Sequence, residues 1–242
     1  MRTKLLIWAA ALAAASACTT MAQTVYDLNV VGYINIPVVE GFNLIANQLD
    51  FDGTGVNNTP ANVLGESLPV NASVYGWSPS NTWNIAAYTY NPSTGLDSWT
   101  AIPGNMPTLN PGQGVWLDIP SRGLAGTTSN LVVVGEVDQG SLVNTNLAAA
   151  GGFSLVSSIV PLSGGLQTVL GYTPMVNDTV YQWNAPDQAY LPAKSFVRPK
   201  GGGTPVWTPS EPIIGVGYSG VSEGFWLDSG AGVTWSNYFS IY

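Results

Sequence analysis

The chain states one phrase twice, and that repetition constrains its fold more than any other feature. VLGESLPVNASVYGW (Val63 to Trp77) and VLGYTPMVNDTVYQW (Val169 to Trp183) share eight of fifteen positions without a gap. Upstream, GFNLIANQL from Gly41 matches GFSLVSSIV from Gly152; downstream, SWT (Ser98 to Thr100) matches VWT (Val206 to Thr208). NPGQGVWLD (Asn110 to Asp118) then returns as GVSEGFWLD (Gly220 to Asp228). The order of landmarks is the same in both halves, and their offset drifts only between 106 and 111 residues. A fixed period of this kind predicts one structural plan built twice by internal duplication. VVGYI (Val30 to Ile34) precedes the first GF, VVGEV (Val133 to Val137) the second, and NYFSIY closes the chain. The expectation is that the middle strand closes the first unit and opens the second.

Pattern predicts β-structure throughout. VVGYINIPVV, SVYGWS, GVWLDI, NLVVVGEV, TVYQW and GFWLD are short runs rich in Val, Ile, Tyr and Trp. Such runs between turn-forming residues read as strands. Phe42, Leu44 and Ala46 alternate with Asn43, Ile45 and Asn47, as in a sheet with unequal faces. The 28 glycines and 17 prolines are spread along the chain, so turns recur every ten residues or so. Only PANVLGES and LQTVLGY suit a helical turn, and both are too short for an independent helix. The expected fold class is all-β: two tandem homologous β-sandwich or barrel-like units, over 23–140 and 141–242.

Residues 1–22 have the layout of a signal peptide, with Arg2 and Lys4 before an apolar run and small residues ending at Ala22. No run approaches the roughly 20 apolar residues of a membrane-spanning helix. The expected address is secreted or cell-surface, with the periplasm as an alternative. Cys18 lies in the leader, and ASAC only loosely matches a lipoprotein box, with Ala15 where a large aliphatic residue belongs, which argues against a lipid anchor. Cleavage after Ala22 would leave no cysteine and hence no disulfide. It would also leave four basic against fourteen acidic residues, a net charge of −10 compared with −8 for the full chain. Nucleic acid and anionic lipid are poor partners for such a chain. Lys194, Arg198 and Lys200 read as a solvated turn beside three glycines. A C-terminal aromatic is common in outer-membrane barrel strands, but Ser236 and Ser240 fall in the register that would face lipid, which argues against one here.

VVGYINIP, GFNLIANQL, VYGW and PGQGVWLD together resemble the layout of secreted proteins of unknown function from planctomycete and verrucomicrobial bacteria. They are similar, more loosely, to the GWNL…PGxGYW repeats of exported bacterial and archaeal surface proteins. The resemblance spans nearly the whole chain after the leader. It implies an all-β secreted module and brings no catalytic residue with it. The second copy departs from the pattern, with Val221-Ser222-Glu223 in place of Pro111-Gly112-Gln113.

Chemistry is sparsely represented. The chain has no histidine, which excludes Ser-His-Asp and Cys-His catalysis and removes the commonest ligand of transition metals. Asp118 and Asp228 each follow Trp-Leu, and duplication makes a structural role, accepting amides of the following turn, the preferred reading over catalysis. Asp50 and Asp52 in LDFDGTG resemble part of a calcium loop, but its later ligands are missing; a polar turn is preferred, with calcium the alternative. The repeated pairs Trp77/Trp183, Trp99/Trp207 and Trp116/Trp226 are expected in core or inter-sheet packing. Trp83, Tyr88, Tyr90 and Tyr190, with Trp235 beside them, are the candidates for exposed platforms that stack sugar rings.

The function expected from these readings is that of an exported, non-enzymatic structural or interaction protein of the cell surface or matrix, without a cofactor. A carbohydrate-binding module is the alternative, and a glycoside hydrolase with a carboxylate pair the third. The expected partners are surface polysaccharide, other exported proteins, or a second copy engaged through the edge strand 30–38.

Overall fold

A computed structural model describes residues 30–78, 80–121, 129–148, 151–215, 220–230 and 232–241. The leader expected over 1–22, with Cys18, lies outside these residues. The described chain is all-β apart from two short turns of helix, and none of its helices is long and apolar enough to cross a membrane.

The first half runs β1 (Val31–Val38), β2 (Gly41–Ala46), α1 (Pro60–Leu64), β3 (Ser73–Trp77), β4 (Trp83–Asn91), β5 (Leu96–Ile102), β6 (Gly114–Ile119) and β7 (Ser129–Glu136). Its main sheet is antiparallel in the order β2-β6-β3-β4-β5, and β1 pairs antiparallel with β7. The second half runs β8 (Gly140–Asn144), β9 (Gly152–Val156), β10 (Gly164–Gly165), β11 (Thr179–Asn184), β12 (Ala189–Tyr190), β13 (Lys194–Val197), β14 (Val206–Thr208), β15 (Ile213–Ile214), a 3-10 turn at Gly220–Ser222, β16 (Phe225–Ser229) and β17 (Trp235–Phe239). Its main sheet has the order β9-β16-β11-β13-β14, and β8 pairs with β17. Element for element, the strand order of the second half is that of the first.

Each half buries its own core. Alternation turns Val115, Leu117 and Ile119 of β6 and Val74 of β3 inward, where they meet Ile34, Ile36 and Val38 of β1 and Leu131 and Val133 of β7. Phe225 and Leu227 of β16, Val180 of β11 and Trp235 of β17 occupy the second core. The main sheet and the strand pair thus form the two layers of a sandwich around one apolar interior.

The halves differ where local chemistry differs. In the first, Thr59 caps α1 by accepting from the Asn62 amide, Pro60 opens it, and Gly65 ends it at φ 67. In the second, the matching segment is a turn. There Glu211 accepts from the Gln167 and Thr168 amides at 2.6 and 2.7 Å, and β10 pairs with β15. Similarly, β4 is continuous over nine residues, whereas its counterpart is split into β12 and β13 around Pro192, which has no N–H for a ladder.

The middle landmark proves to be two strands rather than a shared one. Glu136 ends β7, which pairs with β1, and Gly140 opens β8, which pairs with β17. Segment 30–38 is therefore matched within its own chain over eight residues, from Val31↔Glu136 to Val38↔Ser129. That pairing uses one edge of β1, and the two strands form a sheet of their own.

Candidate functional site

The faces of the two main sheets that turn away from their cores are aromatic. On β3, Tyr75 and Trp77 alternate with buried Val74, and on β6 Trp116 alternates with buried Val115 and Leu117. Cross-strand register places Trp116 beside Tyr75, and Trp83 of β4 beside Trp77; Phe42 of β2 joins them. The second half repeats the set: Tyr181 and Trp183 on β11, Trp226 on β16, Phe153 on β9, and Tyr190 of β12 opposite Trp183. Each sheet so presents five rings in equivalent positions, with Tyr190 standing where the first half has Trp83.

These two faces meet about a pseudo-twofold axis. The indole N–H of Trp77 donates to the Phe153 carbonyl at 3.1 Å, and that of Trp183 donates to the Phe42 carbonyl at 2.9 Å. The backbone bridges Ile45↔Glu223 and Gln113↔Val156 obey the same exchange. Ring contacts follow suit: Trp116 lies 5.0 Å from Trp183 and 6.2 Å from Tyr190, while Trp226 lies 5.5 Å from Trp77 and 5.9 Å from Trp83. Residue i of one half meets residue j of the other, and j meets i, as in an isologous dimer interface.

Glycine permits the close approach. A Cβ on Gly114 would stand 2.9 Å from the Val156 carbonyl oxygen, and one on Gly224 would stand 2.8 Å from that of Ile45. Both glycines belong to the repeated GVWLD/GFWLD phrase. They let the two backbones touch at the axis while the residue two positions on, Trp116 or Trp226, enters the aromatic face.

Two cavities of the same design flank the axis. One, of about 320 Å³, is lined by Phe42, Tyr75, Trp83, Trp116, Trp183 and Tyr190. The other, of about 570 Å³, is lined by Phe153, Tyr181, Tyr190, Trp226, Trp77 and Trp83, and exchanging the halves converts the first lining into the second. Among the described residues, both linings are wholly aromatic. Most neighbouring rings stand edge to face, at 85° for Phe42 and Trp116, 83° for Trp116 and Trp183, and 86° for Phe153 and Trp226.

A carboxylate stands beside one lining ring of each cavity. Asp118 pairs in register with Phe42 and follows Trp116 by two residues on the same face; Asp228 stands likewise to Phe153 and Trp226. Burial raises the pKa of Asp118 above the ordinary carboxylate value. The turns that follow them run into residues 122–128 and 231, outside the described residues, and both carboxylates hold a place on the aromatic face. Burial also raises Tyr190, against a smaller opposing effect of its hydrogen bond with Trp226.

The residues singled out in the sequence are dispersed. Trp83 and Tyr190 lie on the aromatic face and line both cavities. Tyr88 is 3% exposed, its ring 5.5 Å from Trp99 in the first core, and it cannot stack on a ligand. Tyr90 is exposed farther along β4 and lines neither cavity. Of the repeated tryptophans, Trp99 and Trp207 are core residues, whereas Trp77, Trp183, Trp116 and Trp226 are only partly buried and form the axis. Sequence reasoning passed over Phe42, Tyr75, Phe153 and Tyr181, although the i, i+2 spacing of Tyr and Trp in VYGW and VYQW already puts both rings on one face.

Asp50 and Asp52 serve their own loop. Asp50 accepts from the Gly55 amide and Asn58, and Asp52 accepts from the Thr54 amide, the Thr54 hydroxyl and Asn57. The hydrogen bond from the Thr54 side chain, then that from Asn57, holds the Asp52 carboxyl below its ordinary pKa. No group of three or more potential metal ligands occurs among the described residues. Comparison with known proteins finds no matching family model, curated protein or solved structure.

Proposed function

We propose that this is an exported, non-enzymatic interaction protein that captures its ligand in the aromatic cleft between its two halves. The observation that carries the reading is the twofold-related pair of aromatic cavities. Ten rings gather at one junction without being buried there, Phe42, Trp83, Phe153 and Tyr190 staying exposed, and concave aromatic surface of this kind is characteristic of recognition sites. The chain's composition supports a binding role over catalysis, because histidine is absent and the neighbouring carboxylates come one from each half. Secretion rests on the leader-like residues 1–22, and resemblance to secreted repeat proteins points the same way.

Carbohydrate remains the second reading, because Trp83 and Tyr190 lie together on the cleft. A glycan array and a panel of small organic cations, followed by tryptophan fluorescence titration of each hit, tests the proposal. A saturable ligand is expected, lost in the double variant Trp83→Ala/Tyr190→Ala and retained in Tyr90→Ala. Binding that survives the double variant in a folded protein, or no saturable binding at all, would overturn it.

A further inference from the structure

We propose that the two aromatic cavities are cages for the quaternary or fully N-methylated ammonium group of small soluble molecules, one group per cavity and two per chain. The proposal rests on the cleft being a ligand site, and it names the ligand class.

The geometry of the rings is the first argument. A cation is drawn to the negative faces of aromatic rings within about 6 Å of their centroids, and several faces at right angles enclose it from several sides. Around the first cavity Trp116 stands at 85° to Phe42, 83° to Trp183 and 87° to Tyr190, and Tyr75 stands at 89° to Trp83. The second has Trp226 at 86° to Phe153, 75° to Trp77 and 90° to Trp83. The lining rings therefore stand steeply to one another rather than in a row of coplanar platforms.

The scarcity of hydrogen-bonding groups is the second. A sugar ring presents a hydroxyl on most of its carbons, and each one buried without a partner is costly. Among the described residues, the side chains lining the cavities offer only phenol hydroxyls and indole N–H groups, and the indoles of Trp77 and Trp183 are already committed to carbonyls across the axis. A quaternary ammonium group presents only methyls. Its charge needs π-faces and no acceptor in contact.

Charge is the third. The chain carries −8 overall, and Asp118 and Asp228 stand beside lining rings of the two cavities, one each. Among the described residues, no basic side chain lines either. Lys194 lies on the core side of β13 with Phe196 and donates to the Glu211 carbonyl, while Arg198 donates to that of Gly203. Long-range and local fields therefore both favour a cation.

Isothermal titration of the full chain without its leader, using tetramethylammonium, choline and the neutral isostere 3,3-dimethylbutan-1-ol, tests the proposal. Both cations are expected to bind at two sites per chain, at least about tenfold tighter than the neutral alcohol. Trp116→Leu is expected to leave one site. Asp118→Asn, which keeps every ring, is expected to weaken one site and spare the other. Equal binding of alcohol and cation would overturn the proposal, as would cation binding that neither variant alters. Co-sedimentation with phosphatidylcholine vesicles at the expense of soluble choline would also count against it, by making a lipid headgroup the ligand. If cations fail while a glycan binds and is lost in Trp83→Ala/Tyr190→Ala, the cage fails and the cleft reading stands; if nothing binds there, both fail.

Discussion

At the scale of single residues, the two halves give a matched experiment. Trp99 and Trp207 hold equivalent core positions, against Tyr88 and Phe196 respectively. The Trp99 indole donates to the Gly65 carbonyl at 3.0 Å, at the end of α1. The second half has no such helix end, and the buried Trp207 indole finds no acceptor among the described residues. Trp99→Phe should therefore cost more than Trp207→Phe, by about 1–3 kcal/mol, because the first breaks a bond and the second removes an unpaired donor. Urea unfolding of the two variants measures the difference, and equal costs would contradict this account of the pair. Asp118 provides a second test with a defined sign. Burial raises its pKa in the folded state, so the native chain holds that proton more tightly than the unfolded one. The associated stability is present at low pH and is lost as pH rises through the raised value. Asp118→Asn should thus raise the melting temperature at pH 7, with the gain disappearing below the ordinary carboxylate range. A variant no more stable at pH 7 would contradict it.

At the scale of elements, β1 is the informative strand. Ile36 is 1% exposed, packed in the first core. Ile36→Ala should cost about 2–5 kcal/mol, with the larger values if the sandwich cannot close over the lost volume. Thermal or denaturant unfolding measures the loss; an unperturbed midpoint would mean that β1 contributes nothing to its own subunit. The strands themselves were legible in the sequence, since alternation in GVWLDI and SVYGW directly separates Val115, Leu117 and Val74 from Trp116, Tyr75 and Trp77. Which of those two faces is the core was not. Apolar aliphatics and aromatics both read as buried, so the repeated tryptophans read alike as core or inter-sheet packing; Trp99 and Trp207 take the first place, and Trp77, Trp183, Trp116 and Trp226 the junction between the two main sheets. The split of β12 from β13 was written in Pro192, and the loss of a helix from the second half follows from the absence of the Thr-Pro cap that starts α1. Tyr88 and Tyr90 show the same limit: two residues apart on one strand, they share a face by period, yet the strand leaves the covered part of the sheet between them.

At the scale of the whole molecule, the repeated phrase is what joins the halves. Gly114 and Gly224 allow the backbones to meet, Trp116 and Trp226 enter the cleft, and Asp118 and Asp228 stand beside its lining rings. No sequence period reveals this axis, because it depends on contacts between residues 76 and 141 positions apart, Trp77 with Phe153 and Trp183 with Phe42. Substituting Gly114 by Ala puts a methyl group against the Val156 carbonyl and should cost about 1–3 kcal/mol while leaving each core intact. The most direct test of the shared cleft is hydrogen exchange at the tryptophan indole N–H groups. The account predicts slow exchange at both Trp77 and Trp183, and a joint loss of protection in Gly114→Ala while Trp99 and Trp235, which donate within their own halves, stay protected. Free exchange at Trp77 and Trp183 in the unmodified protein, or loss at one without the other, would contradict it.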